Sequence, residues 1–184
     1  MNLYIKKTET VGAIKPMHCI NNAPSFDDEV LFETLTDAGI PYSRLHDTFE
    51  LYYDRLVDVP NVFPDFDADE NDPLSYDFAF TDVFMKNLAA AGVKPFYRLG
   101  VSIENYRSIK PYNIVPPKDF AKWARICEHI IMHYNEGWAD GFYYNIEYWE
   151  IWNEPDNFPD KADNQMWTGS AEEFYALYKT AATH

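Results

Sequence analysis

Apolar positions along the chain fall into blocks whose spacing alternates between helical and strand-like. Asp27, Asp28 and Glu29 put negative charge where a helix N-terminus favours it; Val30, Leu31, Leu35 and Ala38 follow as an apolar stripe, and Gly39 offers a stop. Residues 41–46 then read as a short strand. The passage from helix to strand recurs: Ala38-Gly39-Ile40-Pro41-Tyr42-Ser43-Arg44-Leu45 is echoed by Ala91-Gly92-Val93-Lys94-Pro95-Phe96-Tyr97-Arg98-Leu99, with Lys94 inserted. Phe78, Val83, Phe84 and Leu88 mark the apolar side of the helix between those strands. A third helix opens near Pro117, which suits a first turn, and carries Phe120, Trp123, Ala124, Cys127, Ile130, Ile131 and Tyr134 on one face. Lys122, Arg125 and His129 fall on its opposite, solvated side. Beyond Gly137 and Gly141 come a strand over 146–152 and a closing helix over 171–182, and a first strand is expected over 11–15.

Strict alternation of strand and helix predicts an α/β fold with a parallel sheet flanked by helices. Two architectures satisfy it, an open doubly wound sheet and part of a (β/α)8 barrel of the TIM type. No glycine-rich phosphate loop follows a strand, which weakens the dinucleotide-binding version of the first. The motifs at the ends of the second and fourth strands favour the barrel, with about its first four βα units present. A length of 184 residues suits one domain. Residues 1–184 are therefore read as the N-terminal part of a single barrel domain, with 1–10 as a leader outside it.

Charge narrows the partners. With 30 acidic and 15 basic residues, the formal net charge of −15 repels phosphate backbones and anionic membranes, so neither nucleic acid nor membrane is expected to bind. No stretch approaches the roughly 20 apolar residues of a membrane span, and the first residues hold no apolar signal-type region. The chain reads as soluble, with cytoplasmic, periplasmic and secreted origins all open. Cys19 and Cys127 have neither disulfide-framework nor metal spacing and read as buried small hydrophobes. His129 and His133 have i,i+4 spacing, but no Glu follows His129 as a zinc-protease helix requires, and both fall on the polar face. Residues 65–72 begin like a calcium loop, yet Glu70 stands where the sharp turn needs Gly and Tyr76 where the bidentate Glu belongs. They read as a solvated acidic loop, and no metal or cofactor is expected.

The chemistry is concentrated in Tyr148-Trp149-Glu150-Ile151-Trp152-Asn153-Glu154-Pro155, an aromatic strand running into a proline that cannot donate to the ladder and so ends it. Glu154 then stands at the strand's C-terminal mouth, the end of a (β/α)8 barrel that holds the active site. Walled by Trp152 and other aromatics, its carboxyl would be partly desolvated, as a general acid requires. Asn153 both donates and accepts, which suits a sugar hydroxyl. On the second strand Tyr42, Arg44 and His46 share a parity, so with His46 at the mouth Arg44 points into the barrel and, once buried, needs a partner. Glu150, of the same parity as Trp152 and Glu154, is expected to pair with Arg44 or Arg98. His18, just past the first strand, is a further candidate for the mouth, against the plainer reading of a structural histidine.

The segment Glu150-Ile151-Trp152-Asn153-Glu154-Pro155-Asp156 resembles the acid/base signature of clan A glycoside hydrolases. Ile14-Lys15-Pro16, Asn21-Asn22-Ala23-Pro24, Arg44-Leu45-His46-Asp47, Tyr76-Asp77-Phe78 and Lys94-Pro95-Phe96 narrow the resemblance to glycoside hydrolase family 39, which contains β-xylosidases and α-L-iduronidases. It runs from about residue 11 to the end. The resemblance implies a retaining mechanism in which Glu154 protonates the leaving group, Asn153 hydrogen-bonds the 2-hydroxyl and His46 touches the sugar in the first subsite. Retention needs a second carboxylate about 5 to 5.5 Å away as nucleophile. The family carries it at the end of strand seven, so this chain alone is expected to be catalytically incomplete. The expected activity is exo-glycosidic, β-xylosidase ahead of α-L-iduronidase. Two rivals are a non-catalytic carbohydrate-binding half barrel and a self-assembling half barrel with bare sheet edges. The partners implied are a glycoside and either the missing C-terminal half barrel or a second copy of the chain.

Overall fold

The computed structural model describes residues 4, 8, 12–14, 16–22, 24, 29–46, 48, 56–102, 114–158, 160 and 163–184. Strands β1 (Ile20–Asn21), β2 (Tyr42–Leu45), β3 (Lys94–Leu99) and β4 (Tyr148–Ile151) form one sheet in the order β1-β2-β3-β4, every neighbouring pair parallel. Parallel neighbours need crossovers, and α1 (Glu29–Asp37), α2 (Val59–Val62), α3 (Ala79–Ala90) and α4 (Phe120–Asn135) lie in them, with α5 (Ala171–Thr183) after β4. Sequential parallel strands flanked by helices are the arrangement of half a (β/α)8 barrel.

Register divides the side chains between two environments. Arg44 pairs with Phe96 and Phe96 with Tyr148, while Arg98 pairs with Glu150, so the even-numbered strand residues share one face. The odd-numbered face is the dry one: Ser43, Leu45 and Tyr97 are fully buried beneath the helices. Phe84, Met85 and Leu88 of α3 and Ile126, Ile130 and Tyr134 of α4 fill this layer. At about 1.5–3 kcal/mol for each large apolar side chain fully buried, the layer dominates the fold's stability. Of the even-numbered face only Arg98 is buried.

Local signals set the helix starts. The Asp119 side chain accepts from Lys122 N at 3.0 Å and caps α4, so Pro117 precedes the helix rather than opening it. Ser170 and Glu173 form a reciprocal capping box on α5. The expected stripe on α1 holds at Leu35, which packs against the core, but Val30 and Leu31 are exposed and their place is taken by Phe32, whose larger ring meets Phe84 edge-on at 6.5 Å. On α3, Val83 is likewise exposed, with Thr81 and Met85 inside.

Other expectations also shift. Residues 12–14 form no strand, and Ile14 is exposed; the first strand lies at Ile20–Asn21 instead. Val11 and Lys15, like Ala23, Asp27, Asp28 and Asp47, lie outside the described residues. Cys127 is buried, but Cys19 is exposed. His133 is buried rather than solvated, its Nε2 2.9 Å from Asp82 Oδ1 and its Nδ1 2.9 Å from Trp138 O. His129 rests on the Trp138 ring at 4.5 Å. In the acidic loop, Asp65, Asp69 and Asp72 each accept a backbone N–H two residues on, closing Asx turns. Among the described residues no His, Cys, Asp and Glu cluster could hold a metal ion, and no helix is long and apolar enough to cross a membrane.

Candidate active site

At the C-terminal ends of β2 and β3, His46, Asp58, Arg98 and Ser102 are hydrogen-bonded into one group, and Asn153 and Glu154 follow the end of β4. Gly100 allows the close approach of the last two strands, because a Cβ there would lie 3.0 Å from Trp152 Cα. Trp152 N donates to Leu99 O at 2.7 Å, one rung beyond β4.

Arg44 crosses the inner face to Glu150. Its Nε and Nη2 donate to Oε2 and Oε1 at 2.8 and 2.6 Å, a fork-to-fork geometry that fixes both side chains. The same Nη2 donates to Asn153 Oδ1 at 2.7 Å, and Nη1 reaches Asn21 Oδ1 at 3.2 Å. Of the two partners expected for Glu150, Arg44 is therefore the one that binds it. Asn153 is buried, with its oxygen committed to Arg44 and its Nδ2 without a hydrogen-bond partner among the described residues. An amide held in this way presents a donor of fixed orientation.

Arg98 serves a different carboxylate. With Asp58 it forms a wholly buried pair at 2.5 Å, and Ser102 donates to Asp58 through Oγ at 2.9 Å and through N at 2.8 Å. Arg98 Nη2 and Ser102 Oγ also reach His46 O at 2.8 and 3.2 Å, while His46 N donates to Asn22 Oδ1 at 3.0 Å. The backbone of His46 is thus clamped from both sides at the mouth of the sheet.

Trp152 does not wall the site. Its φ of 67° breaks the strand's alternation and sends the indole into the helix layer, between Trp123 and Trp167, where Nε1 donates to Met166 O at 2.8 Å. Glu154 has φ 39°, so two non-glycine residues in this one motif hold left-handed backbone, each at a cost of about 1–3 kcal/mol. The Glu154 side chain is exposed, so the desolvation expected of it is absent among the described residues; its Oε2 accepts from Asn157 Nδ2 at 2.9 Å. Pro155 does not end the strand, which stops at Ile151 where the backbone turns left-handed at Trp152; the Pro155 carbonyl accepts from Asn164 Nδ2 at 2.8 Å. His18 is remote from this group: it lies before β1, and its Nε2 meets Gly39 O at 2.9 Å, ahead of β2 and at the opposite end of the sheet.

Sequence reasoning missed Asp58, Ser102, Asn157 and Asn164. Asp58 carried a usable signal, since an Asp ahead of Val59-Pro60 marks a helix start and α2 begins there. The others find their partners through loop geometry that no periodicity encodes.

The comparisons agree with this architecture. The chain shows 32% identity over 119 residues with a β-xylosidase from Caldicellulosiruptor saccharolyticus, covering 59% of this chain and 22% of the relative. A β-xylosidase from Geobacillus stearothermophilus is 25% identical over 137 residues, covering 69% of this chain and 25% of that protein. The crystal structure of a glucosidase from Croceicoccus marinus superposes with a TM-score of 0.74 at 26% identity, over 95% of this chain and 35% of that one. The chain thus spans about a quarter of the length of these β-xylosidases. The family model for glycosyl hydrolases family 39 matches residues 5–184, and the chain belongs to that family.

Proposed function

We propose that this chain supplies the acid/base side of a retaining exo-glycosidase active site acting on β-xylosides. Glu154 is the general acid/base, Asn153 hydrogen-bonds the sugar 2-hydroxyl, and His46 borders the first subsite. Arg44, Glu150 and Pro155 hold these groups in place. The nucleophilic carboxylate comes from protein outside these residues, a reading supported by the coverage of only 22% and 25% of the two β-xylosidases. The observation that carries the proposal is Asn153, buried next to Glu154 with its oxygen tied to Arg44 and its N–H uncommitted among the described residues.

The alternative of an α-L-iduronidase loses support from the same geometry. Iduronate carries a carboxylate, yet Arg44 and Arg98 are both engaged with carboxylates of the protein. A glucoside is the stronger second candidate, because the structural relative is a glucosidase. A panel of 4-nitrophenyl xyloside, glucoside and iduronide on the full-length protein ranks the three.

The acid/base assignment is tested by Glu154→Gln in the full-length protein. Loss of a general acid costs about 10²–10⁴-fold, and the loss should be greatest on alkyl xylosides, whose leaving groups need a proton. Wild-type turnover of an alkyl xyloside by Glu154→Gln would overturn the proposal. The 184-residue chain alone should turn over none of these glycosides.

A further inference from the structure

Asn157 follows Glu154 by one turn, closed by Asn157 N donating to Glu154 O at 3.0 Å. Its side chain returns to the same residue, Nδ2 donating to Glu154 Oε2 at 2.9 Å. Turned over, the amide would set its oxygen against a carboxylate oxygen, so only one orientation serves the ionised acid. The amide oxygen is buried without a hydrogen bond among the described residues, where the contact with Glu154 is the interaction that orients the group. The loop behind it is fixed: Asn164 donates to Pro155 O and accepts from Met166 N and Trp167 N at 2.8 and 2.9 Å, and the Trp152 indole ties to Met166 O. Glu154 Oε1, by contrast, has no hydrogen bond to a described residue.

We infer that Asn157 is a positioning residue for proton transfer: it occupies Oε2, fixes the carboxyl rotamer and leaves Oε1 as the oxygen that exchanges the proton with the glycosidic oxygen. The inference rests on the acid/base role of Glu154. In the first step the C1–O bond breaks onto the leaving oxygen, which takes the proton from Oε1 while the nucleophilic carboxylate bonds to C1. In the second, Oε1 takes a proton from the water whose oxygen displaces that carboxylate. As the proton departs, Glu154 gains negative charge and the bond from Asn157 becomes charge-assisted, stronger in the transition state than before it.

The test is kcat/KM of the full-length protein on methyl β-xyloside and on 2,4-dinitrophenyl β-xyloside. The first needs its leaving group protonated and the second does not. Asn157→Ala should lower the methyl value about tenfold more than the dinitrophenyl value, with the fall in kcat rather than in KM. An equal fall on both substrates would mark a structural role and overturn the inference, as would no fall. If Asn157→Ala does not fold, the same ratio is read on Asn157→Ser. Glu154→Gln separates the two levels: leaving-group dependence in Glu154→Gln but not in the Asn157 variant defeats this inference alone. Its absence from Glu154→Gln defeats the reading beneath.

Discussion

Two arginines on the inner face of the sheet meet carboxylates under different conditions. Arg44 and Glu150 keep 32% and 25% of their side-chain surface, whereas Arg98 and Asp58 keep none. Removing two charges wholly from water costs several kcal/mol per ion, which attraction repays only when further hydrogen bonds satisfy both groups. Asp58 receives such bonds from Ser102, but Arg98 has Nε and Nη1 buried without partners among the described residues. The guanidinium therefore depends on Asp58, and Asp58→Ala should cost about 3–5 kcal/mol, read from urea midpoints at constant m. Arg44→Ala should cost less, since water reaches Glu150. A loss under about 1 kcal/mol for Asp58→Ala would show that water enters the pair. At this scale the sequence was legible wherever strand alternation held, as in the pairing of Arg44 with Glu150. It was not legible at Trp152, because the left-handed backbone that turns the indole away has no local marker such as glycine.

Elements are joined here by charge as well as by apolar contact. The acidic loop docks on α4 through Glu70, whose Oε1 accepts from Arg125 Nε at 2.7 Å, with Lys122 Nζ 3.4 Å from Oε2. Burial works against the charge on Glu70, but a backbone N–H, Arg125 and Lys122 outweigh it and lower the pKa from 4.5 to about 2. A folded-state pKa below the unfolded one stabilises the fold above the unfolded value, and the contribution is lost as pH falls through about 2. Wild type should therefore melt higher than Glu70→Gln by a margin that is constant at pH 6–7 and shrinks from about pH 5 towards pH 2. A margin independent of pH would assign the difference to packing. The pairing also shows why helix faces were only partly readable. Periodicity placed α3, α4 and α5, and the repeated helix-to-strand passage placed β2 and β3. The solvated side assigned to α4 is instead covered by a loop distant in sequence, and α2 and β1 are too short to carry a period.

On the scale of the molecule, one face of the sheet lacks a covering layer among the described residues. Tyr42, Phe96 and Tyr148 form an aromatic patch on it, with ring centroids 5.4 and 5.5 Å apart, and Tyr148 is 44% exposed. Val30 and Leu31 on α1 and Tyr175 and Tyr178 on α5 add exposed apolar surface on two further helices. Apolar surface of this kind favours a cover, and the parallel sheet favours one on both faces. A second copy would bring another charge of −15 against the first, which long-range repulsion opposes unless salt screens it. A C-terminal half barrel is therefore the better proposed cover, and self-association of the 184-residue chain should depend on salt. Light scattering at a fixed protein concentration should show a mass rising between about 20 mM and 500 mM NaCl as the screening length contracts, with dye binding to exposed apolar surface at the low end. Phe96→Asp, which places a charge in the centre of the patch, should suppress both. A chain that stays monomeric at high salt and binds no dye would mean that the aromatic face is already covered by residues 1–184, and the case for a separate covering half would fall with it.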